Sequence, residues 1–265
     1  MSERRPVTLI TGASAGIGMA LARVFARNGH ELVLVARRAA RLEALADEIA
    51  AAGVRRPICL PVDLEQRESV ARIGDAMAEN GAEPDIVVNN AGFGLLGSST
   101  VLSRAEQLAM IDLNVRALTE LSLAFVDSLE RRSGGILNVA SVASFLSGPQ
   151  MAVYYATKAY VLSFSEALYW ELRPRGIRVT ALCPGPVATE FQARAGFAGR
   201  PSPDMLTVSA EAVAEIGYRA LARGRRVVVP GLASRLMVGA IRLLPRSLLT
   251  ASVGRYNRKR SRRSD

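Results

Sequence analysis

Seven short apolar runs recur along the chain: Val7 to Ile10, Glu31 to Ala36, Ile58 to Val62, Ile86 to Asn89, Gly135 to Ala140, Ile177 to Leu182 and Val227 to Val229. They are rich in valine, isoleucine and leucine and lack a sustained apolar–polar alternation. They therefore read as strands buried on both faces. Between them lie stretches with apolar residues at helical spacing, among them Ala39 to Ala52, Glu106 to Glu130 and Ala152 to Leu172. The alternation predicts an α/β fold, a doubly wound, seven-stranded parallel sheet with helices on both faces. The expected strand order is 3-2-1-4-5-6 with the seventh at the edge, and ligands at the carboxyl ends of the strands.

A chain of 265 residues, 49% hydrophobic, has enough material for one sizeable core. Cys59 and Cys183 are its two cysteines, too few for a disulfide framework, so a reducing cytoplasm is expected. The opening Met-Ser-Glu-Arg-Arg-Pro leads into the first strand without an apolar signal segment. The net charge of +10 is uneven: from Leu232 to Asp265 nine basic residues face one acid. The body is nearly neutral, which argues against nucleic acid as a partner. The expected division is a catalytic domain over 1–231 and a basic amphipathic tail over 232–265. No metal site is expected.

The first strand runs into Thr11-Gly12-Ala13-Ser14-Ala15-Gly16-Ile17-Gly18. Gly12 permits a tight turn, Gly16 lets backbone approach a phosphate, and Gly18 allows close helix packing. A helix opening near Ile17 would aim free N–H groups and the positive end of its dipole at a pyrophosphate, with Ser14 beside it. This is a Rossmann-type dinucleotide site. The second strand ends in Val35-Ala36-Arg37-Arg38, with no acid to accept ribose hydroxyl bonds. Guanidinium forks suit a 2′-phosphate, so NADP(H) is expected, with Arg37 as the main contact and Arg38 beside it. Asp63 is a candidate acceptor for the adenine amino group. Asn90 and Gly92 of Asn89-Asn90-Ala91-Gly92 are candidates to line the cofactor, although the same residues also suit a structural turn.

Tyr154 and Lys158 stand four apart on a predicted helix and share a face. A phenol titrates near about 10 and needs help to exchange protons at neutrality, which a neighbouring ammonium supplies. Tyr155 has Ala159 at the same offset and lacks that partner. The chain has only one other lysine, Lys259, so Lys158 stands out among arginines. Ser141 follows the fifth strand, where its hydroxyl would meet a substrate oxygen gaining charge. His30, the only histidine, lies in a helix-to-strand turn and reads as a surface residue away from the ligand edge.

These pieces resemble the short-chain dehydrogenase/reductase family in its compact branch. The resemblance rests on Thr11-Gly12-x-x-x-Gly16-x-Gly18, Asn89-Asn90-Ala91-Gly92, Asn114, Ser141, Tyr154-x-x-x-Lys158 and Cys183-Pro184-Gly185-Pro186-Val187-x-Thr189. It implies that Tyr154 is the general acid/base and that Lys158 binds the nicotinamide ribose and lowers the tyrosine pKa. It implies further that Ser141 orients the carbonyl and that Asn114 holds a water linking the lysine to solvent. Pro184, Gly185, Val187 and Thr189 would border the nicotinamide, and a homodimer or homotetramer through the helices of Glu106–Glu130 and Ala152–Leu172 is expected. The implied activity is reduction of a carbonyl to an alcohol. The alternative is a protein that binds NADP(H) as a sensor or scaffold without turnover.

The family's substrate lid would fall at Glu190 to Val208, with Phe191, Gly196, Phe197, Gly199, Pro201, Pro203, Met205 and Leu206. Phe93, Leu95, Leu96, Phe145, Leu146 and Met151 are candidates for further apolar walls, so a hydrophobic carbonyl substrate is expected. Leu232 to Leu249 is apolar but interrupted by Arg235, Arg242, Pro245 and Arg246, too charged to span a membrane. It fits a peripheral helix at an anionic membrane surface, or one packed on the lid or on a partner subunit. Arg255 to Arg263 reads as a solvated, disordered end.

Overall fold

A computed structural model of the chain describes residues 4–197, 207–241 and 243–261. Its strands are β1 (Arg5–Thr11), β2 (Leu32–Ala36), β3 (Ile58–Pro61), β4 (Ala82–Asn89), β5 (Gly135–Val139), β6 (Arg178–Leu182) and β7 (Val227–Val228). They form one sheet in the order β3-β2-β1-β4-β5-β6-β7, every pair parallel, as the alternating pattern requires. The helices are α1 (Gly16–Arg27), α2 (Ala39–Ala51), α3 (Ser69–Glu79), α4 (Arg104–Ile111), α5 (Leu118–Ala124), α6 (Val126–Arg131), α7 (Ala152–Leu172), α8 (Glu190–Arg194), α9 (Ala210–Ala222), α10 (Leu232–Ile241) and α11 (Arg246–Ser261).

Side chains alternate across a strand, so neighbouring strand residues feed opposite cores. Ile10, Leu34, Val88 and Leu137 pack with Leu21, Phe25, Leu42 and Val213 from α1, α2 and α9. Leu9, Val33, Val87 and Ile136 face the other way, onto Ile73, Met77, Leu121 and Leu168 from α3, α5 and α7. The central strands are buried on both sides, which explains their continuous apolar runs.

The stretch Glu106 to Glu130 is not one continuous helix. It breaks into α4, a π-helical turn over Asp112–Ala117, α5 and α6. The π turn surrounds Asn114, whose side chain is fully buried and claimed by the backbone of Phe93. Such turns re-aim one side chain inside a helix and recur at functional sites.

Beneath the ligand edge runs a buried amide ladder. Asn89 Nδ2 donates to Ser122 Oγ and to Asn138 Oδ1, both at 2.9 Å, and Asn138 Nδ2 donates to Ser165 Oγ at 2.9 Å. The ladder ties the ends of β4 and β5 to α5 and α7. His30 departs from the surface reading: it is half-buried, its Nδ1 lies 3.2 Å from Thr8 Oγ1, and it meets Phe25 and Tyr218 edge-on. Burial lowers its pKa, and its role is packing.

The basic end also departs from expectation. Through Ser261 it is the helix α11, because Asn257 is buried and donates to Pro149 O at 3.0 Å, while Gly254 lies against the Pro149 ring. Arg262 and Arg263 fall outside the described residues.

Replacing Asn138 by Ala removes the middle of the amide ladder and strands its neighbours. A loss of roughly 1–3 kcal/mol of unfolding free energy is expected in urea titrations; an unchanged midpoint would show that the ladder carries no stability.

Candidate active site

A cleft of about 850 Å³ opens along the carboxyl ends of the strands. At one end stands the glycine loop. Gly12 has φ +66°, and a Cβ on Gly18 would fall 2.3 Å from Gly12 O and 2.4 Å from Asn90 Nδ2, so neither position accepts a side chain. Asn90 sutures the loop: its Nδ2 donates to Thr11 O at 2.9 Å and Gly12 O at 3.3 Å, and its N–H donates to Thr11 Oγ1. The amide of Asn90 thus shapes the loop as well as bordering the cleft. Helix α1 begins at Gly16 with no side-chain cap and no acid in its first turn, which leaves its N–H groups to a ligand. Ser14, Gly16 and Ile17 all line the cleft. A cradle built this way fits a dinucleotide pyrophosphate.

The two arginines after β2 have different partners within the chain. Arg38, not Arg37, reaches the glycine loop, with Nε and Nη2 at 3.2 and 3.0 Å from Ser14 Oγ. Arg37 leans on Glu65 at 3.4 Å. Arg38 also donates to Glu190 at 2.7 Å, and Arg41 reaches the same carboxylate. Arg194 from α8, absent from the sequence reading, stacks 4.0 Å over Phe93 and joins this cluster beside Glu65. Asp63 lies just beyond β3, borders the cleft and caps the N–H of Glu65 at 3.1 Å.

At the centre of the cleft stand Ser141, Tyr154 and Lys158. Ser141 follows β5 and opens a short 3-10 turn, its hydroxyl accepting from Ala143 N at 3.1 Å. Tyr154 and Lys158 project from the first turns of α7. Lys158 is 5% exposed, and its Nζ donates to Val139 O at 2.8 Å. Burial pulls its pKa down to about 8, so it still carries a proton at neutrality. Burial pushes the Tyr154 phenol up, opposed by a hydrogen bond with Ser141. The sequence reading had Lys158 lowering that pKa. Here desolvation wins, since the ammonium is committed to a carbonyl and the phenol lies in an apolar pocket. The outcome is a phenol kept neutral by burial and, one helical turn on, a buried ammonium.

Gly92 makes room for Asn114. A Cβ there would sit 2.8 Å from Asn114 Oδ1 and 3.6 Å from Lys158 Nζ. Asn114 also donates to Thr157 Oγ1 at 3.1 Å, so α7 and the π turn are joined one residue from the lysine. Pro184, Gly185, Val187 and Thr189 border the cleft, with Pro184 O accepting from Val142 N at 3.0 Å. Ser141, Tyr154 and Lys158 line the cleft, whereas Asn114 is buried behind its wall.

The apolar walls are only partly those expected. Phe191 stands 5.4 Å from the Tyr154 ring, and Phe197, Leu146 and Met151 line the cleft. Phe93 is buried in the core and Phe145 packs against Leu118 and Val161, while Leu95 and Leu96 do not line the cleft. Gly199, Pro201, Pro203, Met205 and Leu206 lie outside the described residues. The missing wall comes from the tail: Met237 of α10, and Ser252, Val253, Tyr256, Asn257 and Arg260 of α11. Arg260 sits 4.3 Å over Phe197 and thereby joins α11 to the segment after α8. No local signal marks these residues, because their placement depends on contacts distant in sequence, such as Asn257 and Gly254 with Pro149.

Comparison with known proteins agrees with this geometry. The family model for short chain dehydrogenases matches residues 6–197. An NADP-dependent 3-hydroxy acid dehydrogenase, YdfG of Salmonella typhimurium, is 35% identical over 188 residues, covering 70% of this chain and 74% of its own. A short-chain dehydrogenase from Sphingobium yanoikuyae, solved with NADPH, superposes with a TM-score of 0.78 at 35% identity, over 89% of this chain and 93% of that one. A relative from Burkholderia phymatum, solved with NAD, gives 0.78 at 27% identity over 90% and 93%. With its glycine loop, its parallel sheet and its matched motifs, the chain belongs to the short-chain dehydrogenase family of nicotinamide-dependent oxidoreductases.

Proposed function

We propose that the protein reduces a hydrophobic ketone or 3-oxoacyl group to the alcohol with NADP(H). The observation that carries this reading is the meeting of Ser141, Tyr154 and Lys158 beside the glycine loop, in a cleft whose far walls are Phe191, Phe197, Met151 and Met237. A bound nicotinamide supplies the hydride. The chain supplies the rest. Ser141 orients the carbonyl oxygen, and the Tyr154 phenol, kept protonated by burial, gives its proton to that oxygen. The buried Lys158 ammonium stabilises the phenolate that remains, and Asn114 fixes the backbone beside it. Both cofactor types occur among the solved relatives. The choice of NADP(H) therefore rests on Arg38 and Arg37, whose guanidinium groups would exchange Glu190 and Glu65 for a 2′-phosphate. Two free cysteines suit a reducing cytoplasm. Exposed Leu123, Tyr160 and Trp170 on α5 and α7 support a homodimer or homotetramer through those helices.

The reading is tested by following NADPH and NADH oxidation over small diketones, aryl ketones, steroids and 3-oxoacyl thioesters. Turnover with NADPH on one hydrophobic class is expected, with Tyr154→Phe slower by roughly 10²–10⁴-fold. Full activity in that variant would reject the proton-transfer role, and a preference for NADH would reject the arginine assignment.

A pH profile separates the two buried groups. Lys158 is charged below its pKa of about 8 and neutral above it, so kcat/KM for reduction should fall as pH rises through about 8. A profile flat through that region would remove the ammonium from the mechanism.

Trp170→Glu places a charge in the expected subunit contact. Sedimentation should show a smaller species than the parent, and an unchanged mass would exclude this face.

A further inference from the structure

The two terminal helices carry outward stripes that the active site does not use. On α10, Leu232 and Leu236 are 71% and 67% exposed, and Leu243, just past its end, is 87% exposed. Arg235 lies in the same stripe. On α11, Leu248 is 62% exposed, and helical spacing puts Arg255 and Lys259 on its face. The opposite sides point inward, where Val238 is buried and Met237 and Val253 line the cleft. From Leu232 to Ser261 the sequence holds seven basic residues and no acid. Among the described residues no helix is long and apolar enough to cross a membrane.

We propose that the outer face of α10 and α11 docks on the surface of an anionic lipid bilayer. Exposed leucines interleaved with arginine and lysine match a headgroup layer, where the side chains reach acyl carbon and the cations meet lipid phosphate. A second copy of this chain fits the face poorly, since a two-fold contact would set one acid-free basic surface against another. Tyr256 is 47% exposed and also lines the cleft, so the docked face adjoins the mouth of the active site. An apolar substrate dissolved in the bilayer would meet the enzyme there. That last step rests on the proposed function; the docking itself does not.

The test is flotation of the full chain with vesicles of phosphatidylcholine alone and of phosphatidylcholine with phosphatidylglycerol. Binding to the anionic vesicles only, weakened by salt, is expected. Leu232→Ser/Leu236→Ser/Leu243→Ser and Arg255→Gln/Lys259→Gln should each lower the bound fraction about tenfold or more. These side chains are exposed and outside the cleft, so the circular dichroism and NADPH turnover of both variants should match the parent. No flotation with anionic vesicles, equal flotation by the variants, or equal binding to uncharged vesicles would each overturn the proposal. So would a leucine variant whose only change is loss of self-association. Because the bound fraction is read without substrate, docking stands or falls separately from carbonyl reduction.

Discussion

A buried ammonium sets the terms for the active site. Lys158 lies almost wholly out of water, its Nζ donating to the carbonyl of Val139 at 2.8 Å. Burying a cation is costly unless it is hydrogen-bonded, so the groups around it have little freedom. Val139 must end its strand with that carbonyl aimed at α7. Gly92 must lack a side chain, because one would collide with Asn114 Oδ1 and approach the ammonium. The helix carrying Asn114 must widen into a π turn to deliver the amide between Phe93 and Thr157. The nearby phenol then stays protonated at neutral pH, since its own burial disfavours the phenolate.

The rest of the cleft is organised from the same sheet edge. Parallel strands end together, so loops from β1, β2, β4, β5 and β6 reach one face. Thr11 accepts two hydrogen bonds from Asn90 and one from Ala91 N, stitching the ends of β1 and β4, and the amide ladder of Asn89 and Asn138 joins β4 to β5. These contacts hold the phosphate cradle and the proton donor in one frame. The arginine and glutamate cluster around Arg38 and Glu190 ties the cradle to the start of the segment 190–208, and Arg260 ties Phe197 of the same segment to α11. Guanidinium groups thus hold the described part of this segment at Glu190 and at Phe197. The chain's dependence on arginine has a structural outlet there, since a planar cation can pair with a carboxylate or stack on a ring.

Much of this was legible from residue order. The two-face burial of a parallel sheet leaves continuous apolar runs, so all seven strands and their order follow from the pattern. Tyr154 and Lys158 were legible because one helical turn separates them, and Gly12 and Gly18 because no other residue fits where backbone and amide approach so closely. The π turn was not legible: Asp112 to Ala117 has ordinary helical composition, and the distortion comes from Asn114 meeting Phe93, a contact distant in sequence. Which guanidinium reaches Ser14 was not legible either, because it depends on where the chain turns into α2.

By itself, then, the sequence determined the sheet, the glycine loop and the pairing of Tyr154 with Lys158 on one helical face, all set by local spacing and by burial that repeats along each element. Only the tertiary structure decided the protonation balance at Tyr154 and Lys158, since both shifts come from water excluded by residues of several elements. It alone decided that the basic tail becomes a helix walling the cleft. A run such as Arg255 to Arg260 has no local reason to stay ordered, and its docking depends on Asn257 and Gly254 finding Pro149 more than a hundred residues away.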